Sequence, residues 1–218
     1  MAETDAHRDE MVYLLEALKE HFRDDPQVYV TGDIFLYYLD EDNVRQSVSP
    51  DVFVVRGVEK KTRRIYKLEA EGKAPDVVIE LTSPSTKIED LSTKRLIYRA
   101  LGVKEYFLFD PFGEAIRPAL RGYRLKSGDY SPMVGPRLRS EVLGLDLTVE
   151  RGRLRLYDRK TGERLRTHRE SEARLRIVEE KAARELAARQ AAEAKAAAVE
   201  AENLRLREQL ASYKAKKK

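Results

Sequence analysis

The chain has 218 residues, 42% hydrophobic and 37% charged, with 42 Lys and Arg against 38 Asp and Glu and no cysteine. That length suits one domain with a substantial core plus an appendage. The lack of cysteine excludes a disulfide framework, a thiolate zinc site and a cysteine nucleophile. The basic excess belongs to the end of the chain, where residues 166–218 carry 14 Lys and Arg against 9 Asp and Glu. The preceding residues are close to neutral, so charge alone gives no ground for a uniformly nucleic-acid-binding body. The N-terminal MAETDAHRDE lacks a signal-type apolar core, and no apolar run approaches the roughly 18 residues of a membrane span. A soluble cytoplasmic protein with no membrane partner is expected.

From Asp9 to His21, Met11, Val12, Leu14, Leu15 and Leu18 recur at helical spacing, and Pro26 closes that segment. Val28 to Leu39 is β-rich and aromatic with Gly32 as an interior break, and Asp40 to Asn43 has turn chemistry, which predicts a strand and a hairpin-like return. Two apolar runs follow, Val52 to Val55 and Val77 to Leu81, each entered through a Pro-Asp pair. Between them Arg63 to Glu69 reads as a further strand and Glu71 to Lys73 as a loop. After SPST at 83 to 86, the Thr86/Glu89 spacing is a capping-box pattern for a helix running to Leu101, with Gly102 past its end. KEYFLFDP at 104 to 111 is another buried strand. Arg117 to Asp158 alternates short strand-like pieces with Gly and Pro, an accessory β region closing the sheet. The order of elements predicts an α/β (α+β) core over residues 1–165.

Residues 168 to 218 contain no Gly or Pro and are rich in Ala, Glu, Arg and Lys, so 166–218 is predicted to be a long helix. One heptad frame survives along it. Leu175, Ala182, Arg189, Ala196, Asn203 and Leu210 stand at a; Val178, Glu185, Ala192, Val199, Leu206 and Tyr213 stand at d. The second half is the better seam, and a lone Asn at an a position can fix dimer register. Two readings stand: a homodimer through residues 175–213, with a parallel coiled coil around Val199 to Tyr213, and a solvated single helix. The terminal KAKKK at 214 to 218 suits either phosphate contact or a soluble end.

Within VVIELTSPST at 77 to 86, alternate side chains share a face, so Val78, Glu80 and Thr82 lie together opposite Val77, Ile79 and Leu81. Glu80 is thus an ionisable group in a strand that otherwise reads as buried. Burying a carboxylate is costly unless it is paired with a cation. An Arg or Lys partner meets that need, and so does a metal ion. Asp51 opens the neighbouring apolar run, and two adjacent carboxylates are well served by a shared divalent cation. Oxygen-only ligands favour Mg²⁺ or Mn²⁺ over zinc, and His7, His21 and His168 are scattered. In the helix after SPST, a step of about 100° per residue puts Ile88, Leu91, Ile97, Tyr98 and Leu101 on one apolar stripe with Lys94 near its centre. That lysine can snorkel, pair with an acid such as Glu105, or reach the Asp51/Glu80 pair.

Two acids on adjacent strands plus a lysine resemble the PD-(D/E)XK nuclease superfamily. SPDVFVV at 49 to 55, EGKAPDVVIELTSPST at 71 to 86, Asp90 to Lys94, Tyr98 and GVKEYFLFDP at 102 to 111 resemble its Uma-type putative restriction endonuclease family. SEVLGL at 140 to 145 and LRLYD at 154 to 158 extend the similarity over about residues 10 to 165. The resemblance implies a restriction-endonuclease-like mixed sheet flanked by helices and Mg²⁺-dependent (or Mn²⁺-dependent) hydrolysis of DNA. Carried over by position, Asp51 and Glu80 are the metal-holding acids, and Asp51, Glu80 and Lys94 form the catalytic set. Thr82 stands where the superfamily pattern has its lysine, and Lys94 matches a lysine moved to the following helix. Glu16 is a further candidate acid, and Tyr98 a core residue whose hydroxyl lies near the site. The alternative is a catalytically inactive protein of this fold, acting as a dimeric binding or scaffold module through its C-terminal helix.

Overall fold

A computed structural model describes residues 4–215, and the chain divides into two compact units, one closing at His168 and the other opening at Arg169. The elements run α1 (Asp5–His21), β1 (Val28–Thr31), β2 (Leu36–Leu39), β3 (Arg45–Val48), β4 (Val52–Arg56), β5 (Tyr66–Lys67), α2 (Leu68–Glu71) and β6 (Val77–Leu81). A π-helical turn (Glu89–Thr93) leads into α3 (Lys94–Ala100), followed by β7 (Glu105–Phe109), β8 (Leu120–Lys126), β9 (Asp129–Pro132), β10 (Arg137–Ser140), β11 (Leu145–Glu150), β12 (Arg153–Asp158) and α4 (His168–Ala215). The result is a mixed α/β body followed by one long helix. No helix of the described residues is long and apolar enough to cross a membrane.

A six-stranded sheet in the order β1-β4-β6-β7-β8-β9 forms the centre of the body. Within this sheet only β6 and β7 run parallel, and the chain segment carrying α3 crosses between them. Strand alternation sorts the central residues into two cores. Val52, Val54, Val77, Ile79, Leu81, Phe107 and Phe109 pack with Leu14 and Leu18 of α1 and with Leu145, Leu147, Leu154 and Leu156 of a β10-β11-β12 sheet. Phe53, Val55, Val78, Tyr106 and Leu108 face the other way and pack with Tyr98 of α3 and with Leu36 and Tyr66 of a β3-β2-β5 sheet. Both faces of the middle strands are covered, which is why their sequences read as continuous apolar runs rather than alternating ones.

Several local expectations are corrected. The strand expected from Val28 to Leu39 is two strands: β1 pairs with β4, whereas β2 returns through the turn at Asp40 onto β3 as the expected hairpin, in a separate sheet. Arg63 to Glu69 is not a strand throughout. Only Tyr66–Lys67 is extended, because Arg63 turns back to hold Glu71 through two hydrogen bonds of 2.7 and 2.8 Å. The accessory β region does two things: β8 and β9 extend the main sheet, whereas β10 to β12 build their own. The helix after SPST is capped by Ser83, not by a Thr86/Glu89 box. The Ser83 hydroxyl accepts the Thr86 N–H at 3.3 Å, and the Ser83 carbonyl accepts the Lys87 N–H at 2.9 Å. Gly102, with φ +78°, ends the helix as its pattern predicts.

In the second unit, α4 spans 48 residues, about 72 Å at 1.5 Å per residue. Leu175, Val178, Val199 and Leu206 are all exposed. An Arg189–Glu193 pair at 2.8 Å stabilises the helix surface. The side chains of Leu210, Tyr213 and Lys214, and residues 216–218 of the terminal basic run, lie outside the described residues.

Candidate active site

The antiparallel register of β4 and β6 pairs Val52 with Ile79, and one step further stand Asp51 and Glu80. Their side chains fall on the same face as Phe53 and Val78, toward Tyr98 and the helix after SPST. The Asp51 N–H donates to Glu80 Oε2 at 3.3 Å, and the Leu81 N–H donates to Asp51 Oδ2 at 2.6 Å, which locks the two acids across the strand pair. Gly32 makes that approach possible. A Cβ there would lie 1.8 Å from the Asp51 carbonyl oxygen, so β1 can pass beside residue 51 only with glycine.

Glu80 is completely buried. Its Oε1 accepts the Tyr98 hydroxyl at 2.5 Å, and its Oε2 lies 3.1 Å from Lys94 Nζ. Lys94 Nζ also lies 3.2 Å from Asp90 Oδ1. The fold thus brings Lys94 and Tyr98 onto the Glu80 carboxylate, with Asp51 beside it on the adjacent strand. Glu105, the other acid considered for Lys94, is instead held by Arg124 at 3.1 Å and by Ser140. Glu16 is exposed on α1, about two and a half turns past His7.

Two residues enter that the sequence reading left out. His7, on the first turn of α1, brings Nε2 to 3.5 Å from Asp51 Oδ1. Nothing in the sequence signals this contact, because it depends on how α1 lies against the sheet. Asp90 has a signal: it stands four residues before Lys94, the spacing of an acid–lysine pair on one helix face.

Three acids therefore face one ammonium. Burial, followed by the charge of Asp51, pushes the Glu80 carboxyl well above the ordinary glutamate range, and the Lys94 and Tyr98 contacts do not offset it. Burial likewise raises the Asp90 carboxyl. Asp51 goes the other way: burial would raise it, but the His7 contact and the Leu81 N–H outweigh burial and hold it below the usual aspartate value. Lys94 is stabilised as an ammonium because Glu80, Asp90 and Asp51 together outweigh its own burial.

Among the described residues no group of three or more His, Asp or Glu side chains is set to hold a metal unaided. Asp51 and Glu80 supply two hard oxygen donors in a pocket where acids outnumber cations. That donor set fits Mg²⁺, which keeps several waters and takes one or two carboxylates, better than it fits zinc.

The Uma2 family model, described as "Putative restriction endonuclease", matches residues 1–172. Among solved structures the chain is similar to the crystal structure of a putative nuclease belonging to DUF820 from Anabaena variabilis ATCC 29413, with 15% identity and a TM-score of 0.49, covering 66% of this chain and 76% of that one. No curated protein matches the chain.

Proposed function

From the premise that the chain belongs to the Uma2 family of putative restriction endonucleases, we propose that it hydrolyses phosphodiester bonds in DNA in the cytoplasm, with Mg²⁺ or Mn²⁺ held by Asp51 and Glu80. The observation that carries this reading is the placement of Asp51 opposite Glu80, one step past the Val52–Ile79 pair, with the Lys94 ammonium and the Asp51 backbone N–H both within hydrogen-bonding reach of Glu80 Oε2. When bound, the cation supplies charge that stabilises the scissile phosphate in the transition state and makes a nucleophilic water available near neutral pH.

The protein's own groups do the rest. Leu81 and His7 fix the two oxygens of Asp51, and Tyr98 fixes one oxygen of Glu80, so the acids are preorganised. Burial and the Asp51 charge raise the Glu80 carboxyl, so loading of the site is expected to strengthen as pH rises. The Lys94 ammonium, mostly buried and held at the pocket by two acids, stabilises negative charge developing on the phosphate and orients the attacking water. The test is cleavage of supercoiled plasmid with Mg²⁺ or Mn²⁺. Wild type should nick or cut, while Asp51→Ala and Lys94→Ala should lose at least about a hundredfold in rate, the scale of removing one preorganised charge-stabilising group. Undiminished cutting by both variants would mean that the activity comes from elsewhere.

A second reading concerns assembly. Leu175, Val178, Val199 and Leu206 of the α4 heptad frame are exposed, which supports a homodimer through residues 175–213. In a chain without nuclease activity, this same helix would make the protein a dimeric binding module.

A further inference from the structure

Asp90 stands beside the proposed centre as the second acid in contact with Lys94. It is 1% exposed, and the equally buried Thr82 hydroxyl lies beside it. A buried carboxylate is costly unless something compensates for it, and its compensation is the Lys94 ammonium at 3.2 Å. The main chain is shaped around it. At Glu89–Thr93 the helix widens to a π turn, in which the Lys94 N–H reaches back to the Glu89 carbonyl. The Asp90 carbonyl left over by that step accepts the Tyr106 hydroxyl at 2.8 Å. Turns of this kind insert one residue into a helix and recur at functional sites.

Lys94 needs only one acid to be stabilised, yet it has two, at 3.1 and 3.2 Å. The two acids differ in what else is asked of them. Glu80 must turn oxygens to a cation, and a dication there repels the ammonium that occupies Oε2. Asp90 has no such duty, and it remains an acceptor for the ammonium. We propose that Asp90 is a positioning residue that retains the Lys94 ammonium in the pocket when a divalent cation takes over the Glu80 carboxylate. This rests on the reading of Asp51 and Glu80 as the cation-holding pair. With Asp90 in place, the ammonium shifts toward it and the Thr82 hydroxyl supplies a further acceptor. Without it, the flexible four-carbon stem carries the ammonium out to water.

The experiment uses full-length protein with ¹⁵N-labelled lysine, following the Lys94 ammonium resonance, assigned by its loss in Lys94→Met. Such a resonance is visible only while the ammonium hydrogens are held and exchange slowly. In wild type it should be present without metal and should shift but persist as Mg²⁺ is added. In Asp90→Asn and Asp90→Ser, compared so that the result does not depend on one variant folding, it should be present without metal and lost with Mg²⁺. Asp90→Glu should restore it. Persistence in both wild type and the Asn variant, or loss in both, would overturn the role of Asp90 while leaving the cation site standing. A wild-type resonance unmoved by Mg²⁺ would instead overturn the cation site, and the proposal with it.

Discussion

At the scale of single residues, the pocket is governed by an excess of acid. An acid whose pKa is raised in the fold keeps its proton after the unfolded chain has lost it. Its favourable contribution is complete below the ordinary glutamate range and is lost as pH rises toward the folded value. Glu80 is such a group, raised by burial first and by Asp51 second. Glu80→Gln, neutral at every pH, is therefore expected to gain stability relative to wild type as pH rises through that window. Urea unfolding of both proteins across the pH series checks this, and a difference that stays flat with pH contradicts it. Gly32 sets a second constraint, because a Cβ at that position meets the Asp51 carbonyl, which is backbone and has little freedom to move. Gly32→Ala is expected to cost about 1–3 kcal/mol of stability, as overpacking of a close contact does. An unchanged urea midpoint would show that the chain around Asp51 has slack.

At the scale of elements, the start of the helix after SPST depends on Ser83, whose hydroxyl and carbonyl take the Thr86 and Lys87 N–H groups. Ser83→Ala should cost about 1 kcal/mol, whereas Glu89→Ala, removing the residue that a capping box would need, should stay within about 0.5 kcal/mol. Thermal melts of the two variants separate the alternatives. The same segment shows what was legible in the sequence. Asp51 and Glu80 could be read as neighbours because two apolar runs of similar length, each opening on Pro-Asp, do pair as β4 and β6. Lys94 could be read as pointing inward because its phase relative to Tyr98 lies within one regular helix. Carrying that phase back to Ile88 failed, and Ile88 is 80% exposed, because the intervening π turn adds a residue that a step of about 100° cannot anticipate. Gly32, read as an interior break, is where Val28 to Leu39 divides between two sheets, and the break lies at a close backbone approach to residue 51. His7 reaches Asp51 only through the packing of α1, which no local pattern encodes.

At the scale of the whole molecule, the two units contribute different things: the body brings the acids and the lysine together, and α4 offers a seam. If that seam joins two copies, full-length protein should sediment as a dimer, and a full-length Val199→Glu/Leu206→Glu variant as a monomer at the same concentration; equal masses for both would remove α4 as the cause of assembly. The central claim is that Asp51 and Glu80 hold a divalent cation beside Lys94, and Mn²⁺ binding followed by electron paramagnetic resonance tests it most directly. Wild type is expected to bind Mn²⁺, Asp51→Asn and Glu80→Gln to lose that binding, and Lys94→Met, which removes only a competing ammonium, to keep or strengthen it. Equal binding in all four proteins, or no binding in wild type, would contradict the account.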